Sequence, residues 1–120
     1  MRINIAKSII EDFNERRASG NSKILSQDAI NIKRFFALDN KAYESGEIAD
    51  KYKEMMGLVA STVLRCNDCI LYHIQQCFKL GCTKEELLEA LNIALVVGGS
   101  IVIPHLRIAV EGMEELGYDI

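Results

Sequence analysis

An all-α fold is the expectation for this chain, and three features of its sequence carry it. Apolar residues recur at the spacing of a helical face, and no segment alternates with the period of two of a half-buried strand. The breaks between periodic segments also carry helix punctuation: Ser45–Gly46, Asn67–Asp68, Gly81 and Thr83-x-x-Glu86. At 120 residues the length suits one domain with one core, here a bundle of about five to six helices over 1–120.

The elements follow in order. Residues 3–17 place Ile5, Ile9, Ile10 and Phe13 at helical spacing, and Gly20–Asn21 is expected to end that helix. Ser26 is a candidate N-cap for a second helix with Ile32, Phe35, Phe36 and Tyr43 on its inner face, stopped by Ser45–Gly46. A third helix runs from about Asp50 to Leu64, with Met55, Val59 and Val63 as its inner stripe and Met55–Met56 as core. Asn67 and Asp68 favour a cap, so a fourth helix starts near Cys66, with Ile70, Leu71, Ile74 and Phe78 inward and Gly81 as its C′ residue. The capping box Thr83-x-x-Glu86 opens a fifth helix through Val97. A sixth covers about Ile101 to Leu116, with Pro104 tolerated in its first turn.

Composition excludes several function classes. The chain is 49% hydrophobic and 26% charged with net charge −3, and it has no basic stripe of the kind nucleic-acid binders carry. The longest apolar stretch, Ile93 to Pro104, is interrupted by Gly98–Gly99 and is about half the roughly 20 residues a spanning helix needs. The first residues lack the apolar run of a signal peptide. A cytoplasmic protein is therefore expected, binding neither nucleic acid nor membrane. Four cysteines in a reducing compartment point to metal or catalysis rather than to a disulfide framework.

The chemistry concentrates in Cys66-x-x-Cys69-x-x-x-His73. On a helix these offsets bring three side chains to one face, with the cysteine Cα atoms about 5–6 Å apart, within reach of a disulfide. Near a helix N-terminus, free N–H groups and the dipole favour thiolate, the reactive form. His73 can take the thiol proton, and Glu54 on the preceding helix can set its tautomer or accept the proton in turn. Zinc is the rival reading, because Cys66, Cys69, His73 and Glu54 are ligands of acceptable type. A blander one takes the cysteines as small buried hydrophobes. Haem attachment is excluded because Ile70, not His, follows Cys69.

The pattern Glu54-x11-Cys66-Asn67-Asp68-Cys69-x3-His73 resembles the alkylhydroperoxidase AhpD-like branch of the carboxymuconolactone decarboxylase family. Flanking residues agree: Gly46-Glu47-Ile48 and Lys53 before it, Leu80-Gly81-Cys82-Thr83-Lys84-Glu85-Glu86 and Ala90…Gly98-Gly99 after it. The resemblance covers about 27–116 and leaves 1–25 as a helical extension. It implies a helical homo-oligomer, trimer or hexamer, with sites near subunit contacts. It also implies thiol-dependent peroxide reduction, or electron passage from a reduced partner to a peroxide-consuming enzyme such as a peroxiredoxin. Cys69 is then the attacking thiol and Cys66 the resolving one, whereas helix position alone favours the reverse. No cofactor is implied beyond an external dithiol or protein reductant. Asp68 departs from the pattern by standing where AhpD has a second histidine; an ionised acid there opposes thiolate formation.

The alternative is a non-catalytic helical oligomer, a zinc-stabilised interaction module, or a decarboxylase-like relative with different chemistry. Cys77 and Cys82 read as structural, His105 as a capping or packing residue, and Gly98-Gly99-Ser100 as a helix end. Tyr72 is placed to line a substrate channel or simply to pack.

Overall fold

The computed structural model describes residues 7–120. Six α-helices follow one another: α1 (Ile9–Leu25), α2 (Ile30–Ala42), α3 (Asp50–Val63), α4 (Asn67–Lys79), α5 (Lys84–Gly98) and α6 (Ile103–Leu116). A 3₁₀ turn, Ser100–Val102, joins α5 to α6, and the described residues contain no strand. The all-α class stands, and the helices form one domain.

The core lies where α3 packs on α4 and α5, and α4 and α5 on α6. Leu58, Ile70, Ile74, Leu87, Ala109 and Met113 are fully buried there, joined by Cys77. Gly112 lets α6 approach α4 closely, since a Cβ there would come within 2.9 Å of Leu71 Cδ2. α1 lies over α4 and α6 through a smaller cluster of Ile10, Phe13 and Leu71. Its first-turn N–H groups at Ile9 and Ile10 donate to the Glu115 carboxylate of α6, at 3.1 and 3.0 Å. This long-range N-terminal cap satisfies donors that a helix start otherwise leaves open.

Several sequence expectations need correction. The first helix does not end at Gly20–Asn21 but continues to Leu25. One interior glycine costs only about 1 kcal/mol of helix propensity, and a Ser8 cap together with Phe13 and Ile10 burial outweighs it. The part of that expectation at residues 3–6, including Ile5, lies outside the described residues. Ser26 is the C-cap of α1 rather than the N-cap of the next helix, which starts at Ile30 after Ala29 with no side-chain cap. Ser serves either end because its hydroxyl also donates, here to Lys23 O at 2.9 Å.

The expected inner face of α2 is not buried: Ile32 and Phe35 are exposed, and only Phe36 and Tyr43 are half-buried. Within α3 the buried positions are Glu54, Gly57, Leu58, Ser61 and Thr62. Met55 is half-buried and packs against the core as expected, while it also lines, with Val59 and Val63, an open apolar groove against α5; Met56 is exposed. Phe78 is also exposed, its ring edge-to-face with Tyr118, while Cys77 takes the core position of that turn. The sixth helix begins two residues late because Gly99 (φ +83°) and the 3₁₀ turn separate it from α5.

Candidate functional site

The turn between α3 and α4 sets up the site. Arg65 is left-handed (φ +60°), a conformation costly for a side chain with a Cβ, and it reverses the chain directly before Cys66. Cys66 N–H then donates to Ser61 O at 3.0 Å, and Cys66 becomes the N-cap of α4. Its Sγ accepts from the Cys69 N–H at 3.3 Å. Cys66 and Cys69 are joined as a disulfide, with Cα atoms 5.3 Å apart. The first turn of α4 thus holds both sulfurs at the positive end of the helix dipole. Cys69 is exposed and Cys66 half-buried.

One turn deeper, His73 Nδ1 and Glu54 Oε2 lie 2.7 Å apart. Both residues are buried, at 7% and 5% exposure, so the bond is shielded from water. A carboxylate only accepts, so Nδ1 carries the proton and Nε2 presents its lone pair. That Nε2 is 3.5 Å from the Tyr43 hydroxyl, carried at the C-terminus of α2. Burial, and behind it the charges of Asp39 and Glu54, push the Tyr43 phenol above its usual range. Gly57 makes room for the imidazole: a Cβ there would sit 2.5 Å from His73 Cε1 and 2.8 Å from both ring nitrogens.

Charges around the disulfide come from α1. Arg16 reaches Asp68 at 3.5 Å and Asp12 at 2.9 Å, so the acid between the cysteines has a cationic partner. Arg17 lies over the Tyr72 ring, its guanidinium carbon 4.5 Å from the centroid, and Tyr72 packs edge-on against His73. Cys69, Tyr72 and His73 open into a cavity of about 370 Å³ walled by α1.

Among the four residues singled out from sequence, the structure joins Cys66 to Cys69 and Glu54 to His73, and Cys69 and His73 share the cavity. Tyr43, expected only as an inner-face residue of the second helix, also belongs to the site, as do Gly57 and Arg16, which the sequence does not single out. Only Gly57, a glycine inside an apolar helix, left a local sign. Cys77 and Cys82 are buried and free. Desolvation raises both thiols, so each stays protonated and unreactive. His105 Nδ1 is 2.7 Å from Asn67 Oδ1, which ties α6 to the first residue of α4. Among the described residues, no cluster of three or more His, Cys, Asp or Glu has metal-holding geometry, and no helix is long and apolar enough to cross a membrane.

The chain is similar to TM1620 of Thermotoga maritima, with 58% identity over 88% of this chain and 93% of that one, at a TM-score of 0.86. A second structure of TM1620, at a TM-score of 0.84, describes it as a carboxymuconolactone decarboxylase family protein with a suggested involvement in an antioxidative response. Another member of that family, apo-lpg0406 of Legionella pneumophila, is 27% identical over 89% of this chain and 96% of its own, at a TM-score of 0.83. Uncharacterized protein H16_B0147 of Cupriavidus necator is 31% identical over 58 residues, 48% of this chain and about half (51%) of that protein. The family model itself matches residues 32–112, a span from the first turn of α2 into α6 that holds the disulfide and the Glu54–His73 pair, and the chain belongs to the carboxymuconolactone decarboxylase family.

Proposed function

We propose that the protein is a thiol-dependent peroxide reductase of the AhpD-like kind that cycles a Cys66–Cys69 disulfide. One observation carries the reading: a disulfide in the first turn of α4 stands one turn from a buried histidine whose tautomer a carboxylate fixes. A non-catalytic helical bundle has no need of a buried carboxylate–imidazole pair facing the cavity that a cysteine opens into.

In the reduced protein, the Cys69 thiol loses its proton to His73 Nε2, and Glu54 stabilises the imidazolium through Nδ1–H. The thiolate attacks the outer oxygen of the peroxide. The O–O bond breaks, the sulfur becomes a sulfenic acid, and the leaving alkoxide takes a proton and departs as alcohol. Cys66 then displaces the hydroxyl, which leaves as water, and the disulfide closes. An external dithiol restores both thiols by exchange and is itself oxidised to a disulfide. The exposure of Cys69 against the half-buried Cys66 supports Cys69 as the attacking sulfur. Arg16 beside Asp68 answers the electrostatic objection raised by an acid between the cysteines. The relative described in connection with an antioxidative response is consistent with this chemistry. The chain works as a trimer or hexamer in the cytoplasm.

A peroxide challenge of fully reduced protein, quenched with an alkylating reagent and mapped by mass spectrometry, tests the cycle. A Cys66–Cys69 bond should form quickly, vanish in Cys69→Ser and slow in His73→Gln. Thiols that stay open to alkylation in the wild type sink the proposal.

A further inference from the structure

The cavity beside Cys69 holds a recognition group that the redox cycle leaves unused. Its charges divide unequally. Arg16 is committed to Asp12 and Asp68, and Glu54 to His73. Arg17, which lines the same cavity, has no carboxylate within ion-pair distance among the described residues. Its guanidinium lies over the Tyr72 ring at 4.5 Å. A stacked guanidinium uses its face and leaves its edge N–H donors free, in the planar fork that matches a carboxylate. The apolar side of the cavity is supplied by Phe13, Ile24 and the Tyr72 ring.

Position along α4 gives the spacing. Tyr72 follows Cys69 by three residues, about 4.5 Å along the helix axis at 1.5 Å per residue. A ligand whose anionic group meets the edge of Arg17 has its apolar body against Phe13 and Ile24 and lies in the same cavity as the Cys69 sulfur. At about 370 Å³ the cavity falls in the range of small-molecule sites. Asp39 of α2, also on the wall and without an ion-pair partner among the described residues, disfavours a second negative group.

We propose that this cavity is a substrate site for organic hydroperoxides bearing a single carboxylate, with Arg17 as the residue that selects them. The inference rests on the peroxide-reductase reading. It adds a substrate class and assigns it to α1, which lies outside the family-matched residues 32–112. The reaction is the one already written: the carboxylated hydroperoxide gives its outer oxygen to Cys69, leaves as the hydroxy acid, and the two electrons come from the Cys66–Cys69 dithiol.

The test compares cumene hydroperoxide with its para-carboxylate on reduced protein, following disulfide closure by stopped flow. The carboxylate should react about tenfold faster or more at low ionic strength, as a charge-assisted fork allows, with the advantage shrinking as salt is added. Arg17→Met, which keeps an unbranched stem over Tyr72, should bring the ratio to near one, and Arg17→Lys should fall between. In parallel, calorimetric titration of the oxidised protein with 4-isopropylbenzoate and with its neutral amide reads binding without chemistry. Affinity for the acid should exceed that for the amide and fall about tenfold in Arg17→Met. Equal rates for the two hydroperoxides, or a preference that survives Arg17→Met, overturns the selection by Arg17. If neither hydroperoxide closes the disulfide while the benzoate binds through Arg17, the redox reading fails and the anion site stands.

Discussion

Gly57 is a single hydrogen wide at the point where His73 needs the space, which makes it the most demanding residue of the site. A methyl group there meets the imidazole at 2.5–2.8 Å, and a ring held by Glu54 has no free end to swing away. Gly57→Ala should cost about 1–3 kcal/mol of stability, the usual penalty of overpacking, and slow peroxide-driven closure of the disulfide by displacing Nε2. Gly20→Ala is the contrast, since its Cβ meets nothing within 4 Å; it should stabilise by about 0.4–1 kcal/mol. Urea unfolding of both variants separates the two cases. Arg16 acts on the sulfurs through Asp68. Removing its charge leaves Asp68 unneutralised beside the sulfurs, so Arg16→Gln should raise the pH midpoint of thiol alkylation. An exposed pair allows a shift of roughly 0.2–0.7 pH unit. The shift should shrink in an Asp68→Asn background, and an unchanged shift there would falsify the Arg16–Asp68 coupling. The alignment of Cys66, Cys69 and His73 was legible in the sequence because helical offsets convert directly into one face. Arg16 and Tyr43 were not, since each comes from a helix whose placement depends on tertiary packing.

Helices α3 to α6 were readable within a residue or two because their ends carry local chemistry: Asn67 and Asp68 after the Cys66 cap, Gly81 at φ +80°, and the Thr83–Glu86 box. At α1 and α2 the local signals point both ways, at Gly20 and at Ser26, and tertiary packing decides the helix ends. The Thr83–Glu86 box also carries a pH dependence. The Thr83 N–H donates to Glu86 Oε1 at 2.9 Å, and Lys51 of α3 pairs with the same oxygen at 3.0 Å. The backbone bond first, and the lysine second, hold the Glu86 carboxyl below its usual value. A depressed folded pKa means that the unfolded chain binds the proton more readily. The contribution is therefore fully present above the ordinary carboxylate range and is lost as pH falls through the depressed folded value. Urea midpoints measured from pH 7 down to pH 3 should fall in the wild type. They should fall less steeply in Glu86→Gln, which keeps an acceptor but has no proton to gain. A parallel decline in both proteins would assign the acid sensitivity elsewhere.

The whole molecule exposes more surface than a globular monomer of this size. It exposes 8093 Å², whereas a globular monomer of 13.5 kDa exposes about 6500 Å² by the usual scaling. The excess is patterned. On α2, Ile30, Ile32, Phe35 and Leu38 are 46–66% exposed, and this helix buries no residue of its own. Between α3 and α5 an open groove of about 670 Å³ is lined by Met56, Ile93 and Val97, each more than half exposed. Scattered apolar residues are ordinary, but contiguous faces of this extent belong to interfaces. Tyr43 depends on this face, because the helix that carries it to His73 has so little core contact within one chain. Packing of α2 against a second copy would hold that hydroxyl in place, which links assembly to the site. Sedimentation velocity should therefore find a species larger than the monomer at micromolar concentration, with a melting temperature that rises with protein concentration. Phe35→Asp together with Leu38→Asp should dissociate it, retaining helical circular dichroism but slowing disulfide closure by peroxide as Tyr43 loses its support. Monomers that react at the wild-type rate would separate assembly from chemistry and leave α2 with a partner other than this chain.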